Sequence, residues 1–272
     1  MPSNTHSDEI SKGERFEFGK NWKRFLKSLN NDRIEAAKKS LTSMLDREHL
    51  KGLQFLDIGS GSGLFSLAAR FLGASVYSFD YDPESVNCTK ELKRRYFAND
   101  DSWKIQAGSI LDKEYIESLG KFDVVYSWGV LHHTGNMYEA MKNTIKTVKP
   151  KGKIFISIYN DQGWISRYWR TIKKLYNSNI LARAFIVLFH IPYLFCFRLI
   201  LRARTGRLSI GRGMSLWHDM IDWLGGYPFE VARPEKIIEF YHKEGFFLTK
   251  MKTCGGRQGC NEYVFEYRNP KD

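Results

Sequence analysis

Residues 53–70 set the strongest constraint on the fold. Leu53-Gln54-Phe55-Leu56-Asp57-Ile58 is an apolar run that leads into Gly59-Ser60-Gly61-Ser62-Gly63 and then Leu64-Phe65-Ser66-Leu67-Ala68-Ala69-Arg70. This order is strand, glycine turn, helix, the local context that a nucleotide-binding turn requires. Glycine lacks a Cβ, so it reaches positive φ and lets a ligand lie against the backbone. The pattern then repeats. Residues 74–80, 103–110, 122–128 and 154–159 read as further strands, separated by helical stretches such as 83–96. Alternating strands and helices predict a parallel, doubly wound α/β sheet.

The alternation has clear limits. Residues 1–13 are polar and are expected to fray; they lack the apolar core of a secretory signal. Cys88, Cys196, Cys254 and Cys260 are too few for a disulfide framework, so the expectation is a cytoplasmic protein. The aromatic stretch 16–26 has two readings: a helix start packed on the core, or a flap whose Phe18, Asn21 and Trp22 close over a ligand. Residues 31–45 form an amphipathic helix with Ile34, Ala37, Leu41 and Leu45 on one face.

The alternation stops at Asn160, and residues 160–233 read as a helical insertion. Its first helix, 163–176, carries Trp164, Tyr168, Ile172 and Leu175 on one side and Arg167, Arg170 and Lys174 on another. Residues 181–201 are apolar nearly all round. A basic turn follows at 202–207, then a helix over 217–224 that ends at Gly225-Gly226. From Pro234, a helix over 234–244 and two strands at 246–253 and 263–267 close the chain. Three units result: an N-terminal helical segment with its flap (1–49), a core (50–159 with 234–272), and an insertion read as a substrate lid (160–233).

Charge and length narrow the partners. The chain of 272 residues carries +12, of which +7 lies in 160–233, and this favours phosphorylated, lipid-like or nucleic-acid partners. Between Arg183 and Arg198 there are 14 uncharged residues, short of the roughly 20 a spanning helix needs. The readings left for 181–201 are a buried helix, a homodimer contact, or an interfacial helix in peripheral membrane contact.

The order of motifs resembles the class I S-adenosylmethionine-dependent methyltransferases over residues 50–159 and 234–268. Leu56 to Gly63 is similar to that family's first motif, and Asp80 to the acid that ends its second strand. Gly108-Ser109-Ile110 falls where the family flanks adenine. Trp128-Gly129-Val130-Leu131-His132-His133-Thr134 resembles the segment after strand four, Lys149-Pro150-Lys151-Gly152-Lys153 the turn into strand five, and Cys260-Asn261-Glu262-Tyr263-Val264-Phe265 the final strand. The nearest likeness is to ubiquinone-biosynthesis-type small-molecule methyltransferases. The resemblance implies a Rossmann-like, mostly parallel seven-stranded sheet with the helical insertion before the last helix and closing strand pair. A dehydrogenase fits less well, because the classic dinucleotide fingerprint has its third glycine one residue later, where Leu64 stands.

The resemblance implies S-adenosyl-L-methionine as donor, with S-adenosyl-L-homocysteine as product. Its site would take Asp57, Gly59, Ser60, Gly61 and Gly63 at the turn and Asp80 at the ribose, with Asp82 as a stand-in and Tyr81 beside them. Ser109 and Ile110 would lie at the adenine, with Trp128 and the flap's Trp22 completing the pocket. His133, at the end of strand four, reads either as a general base or, with His132, as a shaper of the pocket. Tyr159 and Asn160 end strand five at the same edge. His218 and Asp222 are four apart, on one helical face, and read as a base or an ordinary ion pair. No third ligand accompanies them, so no metal is expected. Trp164, Arg167, Trp217, Tyr227 and Arg257 complete the acceptor side, together with His132 and Asn160. The functional expectation is methyl transfer to oxygen or nitrogen of a small or lipid-like molecule. The alternatives are an RNA methyltransferase, disfavoured because no RNA-binding module is recognisable, and a non-catalytic scaffold.

Overall fold

The computed structural model describes residues 5–197 and 216–268. Its N-terminal part holds α1 (His6–Ser11), α2 (Gly19–Lys27) and α3 (Asn31–Leu45). The core follows as β1 (Gln54–Ile58), α4 (Leu64–Phe71), β2 (Ser75–Asp80), α5 (Pro83–Tyr96), β3 (Trp103–Ala107), α6 (Lys113–Ser118), β4 (Phe122–Trp128), α7 (Met137–Lys146) and β5 (Val148–Tyr159). The insertion contributes α8 (Trp164–Ser178), α9 (Ile180–Ile191) and α10 (Leu216–Gly225). The chain closes with α11 (Pro234–Lys243), β6 (Phe246–Lys252) and β7 (Cys260–Tyr267).

The seven strands lie in the order β3-β2-β1-β4-β5-β7-β6. Pairings are parallel up to β5, and β7 runs antiparallel to both β5 and β6. This is the expected mostly parallel sheet with its closing pair. Period-two alternation sends Phe55, Val76, Val124, Tyr126 and Phe155 to the face covered by α3, α4 and α5. Leu56, Ile58, Val125, Ile154 and Ile156 face α6, α7 and α11. Burial on both faces explains why the parallel strands read as continuous apolar runs. The order reverses direction between β1 and β4, and the carboxyl ends of β1, β2, β4 and β5 share one edge, where open α/β sheets bind ligands.

Several local readings change. The N-terminus does not fray from Thr5 onward. Thr5 Oγ1 accepts from Asp8 N (3.3 Å) while Asp8 Oδ2 accepts from Thr5 N (3.1 Å), a reciprocal capping box that starts α1. Strand β5 begins at Val148 rather than at 154, because the Lys149–Gly152 turn sits inside it as a bulge with Lys151 at φ +60°. In α8 the stripe that packs is neither of the two sides read from the sequence. Trp164 and Leu175 are exposed, while Trp169, Lys173 and Tyr176 are buried among Ile186, Met220, Leu224 and Phe229. The helix carries two aromatic stripes. The one that packs is the one whose lysine finds partners: Lys173 Nζ donates to the Trp223 carbonyl and sits 4.2 Å from the Trp223 ring centroid and 4.8 Å from that of Phe229. Of the 181–201 stretch, α9 takes the part up to Ile191 and a short π-helix runs over Pro192–Phe197, while 198–201 lie outside the described residues. The basic turn at 202–207 lies outside the described residues. No described helix is long and apolar enough to cross a membrane.

Candidate active site

The glycine turn is built by the end of β2. Gly59 N and Ser60 N donate to the Phe79 carbonyl (2.8 and 3.1 Å), and Gly61 N donates to Asp80 Oδ2 (2.8 Å). Gly59, Gly61 and Gly63 all have positive φ (+72°, +55° and +80°). Two of them are also sterically obligatory. A Cβ on Gly59 would lie 2.5 Å from both Val130 methyls, and one on Gly63 2.9 Å from the Thr89 Cα. Ser60 is turned inward, its Oγ 2.9 Å from Thr89 Oγ1 of α5, so only its backbone faces the turn.

Asp57 and Asp80 are both buried, in different settings. Trp103 Nε1 must donate, so Ser78 passes its proton to Ser66 Oγ (2.6 Å), and Ser66 donates to Asp57 Oδ2. Asp57 thus ends a buried relay of hydroxyls that ties β1 to α4. Burial, helped by the nearby Asp80 charge, pushes it up to about 7. Asp80 accepts from Asp82 N at Oδ1 (2.9 Å) as well as from Gly61, and the Tyr81 N–H also favours its ionised form. Burial raises it to about 6.

Asp82 does not stand in for Asp80. Its Oδ1 accepts from Glu84 N (2.9 Å), capping α5, and its Oδ2 accepts from Gly19 N (2.7 Å) at the start of α2. One carboxylate therefore joins two helix N-termini. Asp82→Ala is expected to destabilise the fold by about 2–4 kcal/mol, through the lost caps and a buried unpaired N–H. Urea denaturation checks this, with Asp82→Asn retaining part of the loss because one acceptor oxygen remains.

Residues 5–22 form a strap across this edge. Tyr81 donates to Glu9 Oε1 (3.3 Å) and lies under the Arg15 guanidinium (5.0 Å) and edge-on to His6. Arg15 Nη1 donates to the His133 carbonyl (3.0 Å), and Phe18 packs 5.0 Å from the His133 ring. The Trp22 indole lies against Gly61, 3.1 Å from where a Cβ would stand. Phe18 and Trp22, two of the residues read as a flap, lie on this strap, and the third, Asn21, is buried in α2. Arg15 is a contact that sequence reasoning missed, though it sits at the head of that aromatic stretch.

Beyond the turn, Ser109 Oγ accepts from Leu111 N (3.2 Å), and the buried Ile110 offers its carbonyl to Asn143 Nδ2 (2.8 Å). Both residues shape the loop after β3. Trp128 ends β4 half-buried. Gly129 N is held by Ser157 Oγ (2.9 Å), with φ +77° and nothing within 4 Å of its Cβ direction. Gly129 thus leaves open space at the carboxyl end of β4, on the edge where open α/β sheets bind ligands.

An aromatic wall stands next to it. The Tyr159 ring, at the end of β5, lies 4.1 Å from His132, 5.6 Å from His133, 5.1 Å from Phe229 and 5.7 Å from Trp223. His133 Nδ1 is 2.6 Å from the Pro228 carbonyl, which can only accept; the proton therefore sits on Nδ1 and the lone pair on Nε2. Burial drives His133 down to about 3, so the ring is neutral at physiological pH. Tyr227 is half-buried and its carbonyl accepts from Phe16 N (2.9 Å).

Other expected acceptor residues lie apart. Trp164 and Arg167 project outward from α8. Arg257 is exposed; its carbonyl accepts from Cys254 Sγ (3.0 Å) and Asn160 Nδ2 (3.5 Å), so Asn160 braces a loop. The neighbour that does enter the wall is Gln258. Facing two donors, its amide oxygen accepts from Trp169 Nε1 (3.2 Å) and Trp223 Nε1 (3.1 Å). The backbones of Trp217, His218 and Asp222 belong to α10, but their side chains lie outside the described residues.

A protein-family model described as a methyltransferase domain matches residues 29–185, more than half of the chain. A ubiquinone biosynthesis O-methyltransferase of Rickettsia akari is 28% identical over 162 residues, covering 60% of this chain and 58% of the relative. A ribosomal protein L11 methyltransferase of Prochlorococcus marinus is 40% identical over 82 residues, 30% of this chain and 27% of the relative. The chain thus spans less than two thirds of the length of these relatives. Among solved structures, magnesium protoporphyrin IX methyltransferase from Synechocystis superposes with a TM-score of 0.55 at 14% identity, covering 95% of this chain and 98% of that one, a likeness of fold. With its strand order, glycine turn and β2 acid in place, the chain belongs to the methyltransferase-domain family, the class I S-adenosylmethionine-dependent methyltransferases.

Proposed function

We propose that this protein methylates an oxygen of a small, partly apolar molecule held between the β4 loop and the insertion. The observation that supports the reading is the cluster of Tyr159, His133, Phe229 and Trp223 rings at the carboxyl ends of β4 and β5. Similarity to a ubiquinone biosynthesis O-methyltransferase supports oxygen as the acceptor atom and a small molecule as its carrier.

The donor, when bound, supplies an electrophilic methyl group on a sulfonium. The chain supplies positioning, which alone is worth roughly 7–11 kcal/mol of a bimolecular barrier. Gly59, Gly61 and Gly63 offer backbone at the turn, and Asp80 accepts the ribose hydroxyls. Trp22 and Phe18, from the strap, exclude water on the outer side. At pKa about 3, His133 is a poor base for a phenol. Its Nε2 lone pair instead accepts a hydrogen bond from the acceptor hydroxyl and orients it; as the oxygen–methyl bond forms and the sulfur–methyl bond breaks, the hydroxyl proton passes to solvent. Tyr159, Phe229 and Trp223 give that acceptor an apolar face.

The test is formation of S-adenosylhomocysteine from S-adenosylmethionine with phenols and catechols, with and without an isoprenoid tail, beside amines and bulk RNA. Turnover with a hydroxyl acceptor is expected, and His133→Ala should lower kcat by about 10–100-fold with no shift in the pH profile between 6 and 8. Turnover on RNA or on amines alone overturns the reading.

A further inference from the structure

We propose that the outward face of α8 and α9 is a docking surface for an anionic lipid bilayer. Helix α9 is apolar on both sides for two different reasons. Its inner stripe, Ile186 and His190, packs into the insertion core, pinned by Tyr168 Oη to His190 Nε2 (2.8 Å) and by His190 Nδ1 to the Ile186 carbonyl (2.8 Å). Its outer stripe stands exposed among the described residues. Leu181, Phe185, Leu188 and Phe189 are 79, 68, 70 and 67% exposed, and the rings of Phe185 and Phe189 stack on each other at the surface.

These residues are part of a larger patch. Of the 14 large hydrophobic side chains exposed among the described residues, nine lie between Trp164 and Tyr193. Scattered exposed leucines need no explanation, but a contiguous apolar face does. Charge selects what covers it. Arg167 and Lys174 stand exposed on α8, Arg170 beside them donates to the Phe229 carbonyl (3.2 Å), and residues 162–197 contain no acid. In sequence, 198–215 adds five arginines, again without an acid. A second copy of the chain would bring the same positive face and be repelled. A nucleic acid would match the charge and leave the leucines and phenylalanines wet. A bilayer with anionic headgroups satisfies both, with apolar side chains entering the acyl boundary and basic ones staying at the phosphates.

The proposal does not depend on which acceptor the site takes. The experiment is flotation of the full chain with phosphatidylcholine vesicles, with and without phosphatidylglycerol. The expected result is binding to the anionic vesicles, weakened by high salt. The triple variant Phe185→Ser, Leu188→Ser, Phe189→Ser should reduce vesicle partitioning at least about tenfold while donor binding by calorimetry stays unchanged. Arg167→Glu with Lys174→Glu should abolish the preference for phosphatidylglycerol. Three results overturn the proposal: no binding to anionic vesicles, equal binding by the triple variant, or a dimer in sedimentation velocity that the triple variant dissolves. Loss of donor binding in the parent protein bears on the methyltransferase reading instead.

Discussion

Asp80→Ala is expected to weaken S-adenosylmethionine binding by 100-fold at the least. Hydrogen bonds to a charged acceptor are worth about 1.5–3 kcal/mol each, and the ribose diol offers two. The same carboxylate holds Gly61 N, so its removal also releases the turn. Isothermal calorimetry measures the loss, and an Asp80→Ala variant that binds the donor as tightly as the parent would sink the assignment. The pH dependence provides a second handle. Asp80 must be ionised to accept from both hydroxyls, and burial sets it at about 6, so affinity should rise roughly fourfold between pH 5.5 and 7.5 and flatten in Asp80→Asn. Stability of the donor-free protein should run the other way. Asp57 and Asp80 are raised above the ordinary carboxyl value, so the native state keeps protons that the unfolded chain releases. Their contribution is complete below about pH 4 and is lost as pH rises through 6 and 7.

Gly59→Ala is expected to cost about 3 kcal/mol or more of stability together with donor binding. The left-handed φ of +72° accounts for about 1–2 kcal/mol in any L-residue. The rest is collision with the two Val130 methyls, each 2.5 Å from the new carbon. The two contributions separate in a double variant. Val130→Ala in the Gly59→Ala background should recover the steric part and leave the backbone part, as read by thermal melting. If the double variant is no more stable than the single, Val130 is not the obstacle.

Much of this could be read in the chain. The strand–turn–helix unit at 53–70 is encoded locally, by an apolar run, glycines and a helix, so the turn and the acid at the end of β2 were legible. The parallel core was legible because its strands are buried on both faces. The acceptor side was not, because its contacts are long-range. In α8 two aromatic stripes compete, and the sequence does not say which one faces inward; that depends on Trp223 and Phe229, some fifty residues on. Lys173 carries a charge yet is wholly buried. Gln258 sits in a glycine-rich loop and holds two indoles. Asp82 looked like an alternative ribose ligand, since nothing in its neighbourhood announces that Gly19 will come to it. The capping box at Thr5 and Asp8 is carried by the letters themselves, inside a segment whose polarity reads as frayed.

The strap ties the N-terminal segment to the insertion as one steric unit. A side chain at Gly225 would collide with the Phe16 ring at 2.1 Å, and one at Gly13 with the Asn177 carbonyl at 2.3 Å. Positions far apart in sequence are therefore fitted as socket and ball. The insertion is consequently not an exchangeable cassette. A chimera that grafts another family member's segment in place of 160–233 will need residues 13–18 from the same donor protein. One that swaps the cassette alone will leave Phe16 without its seat.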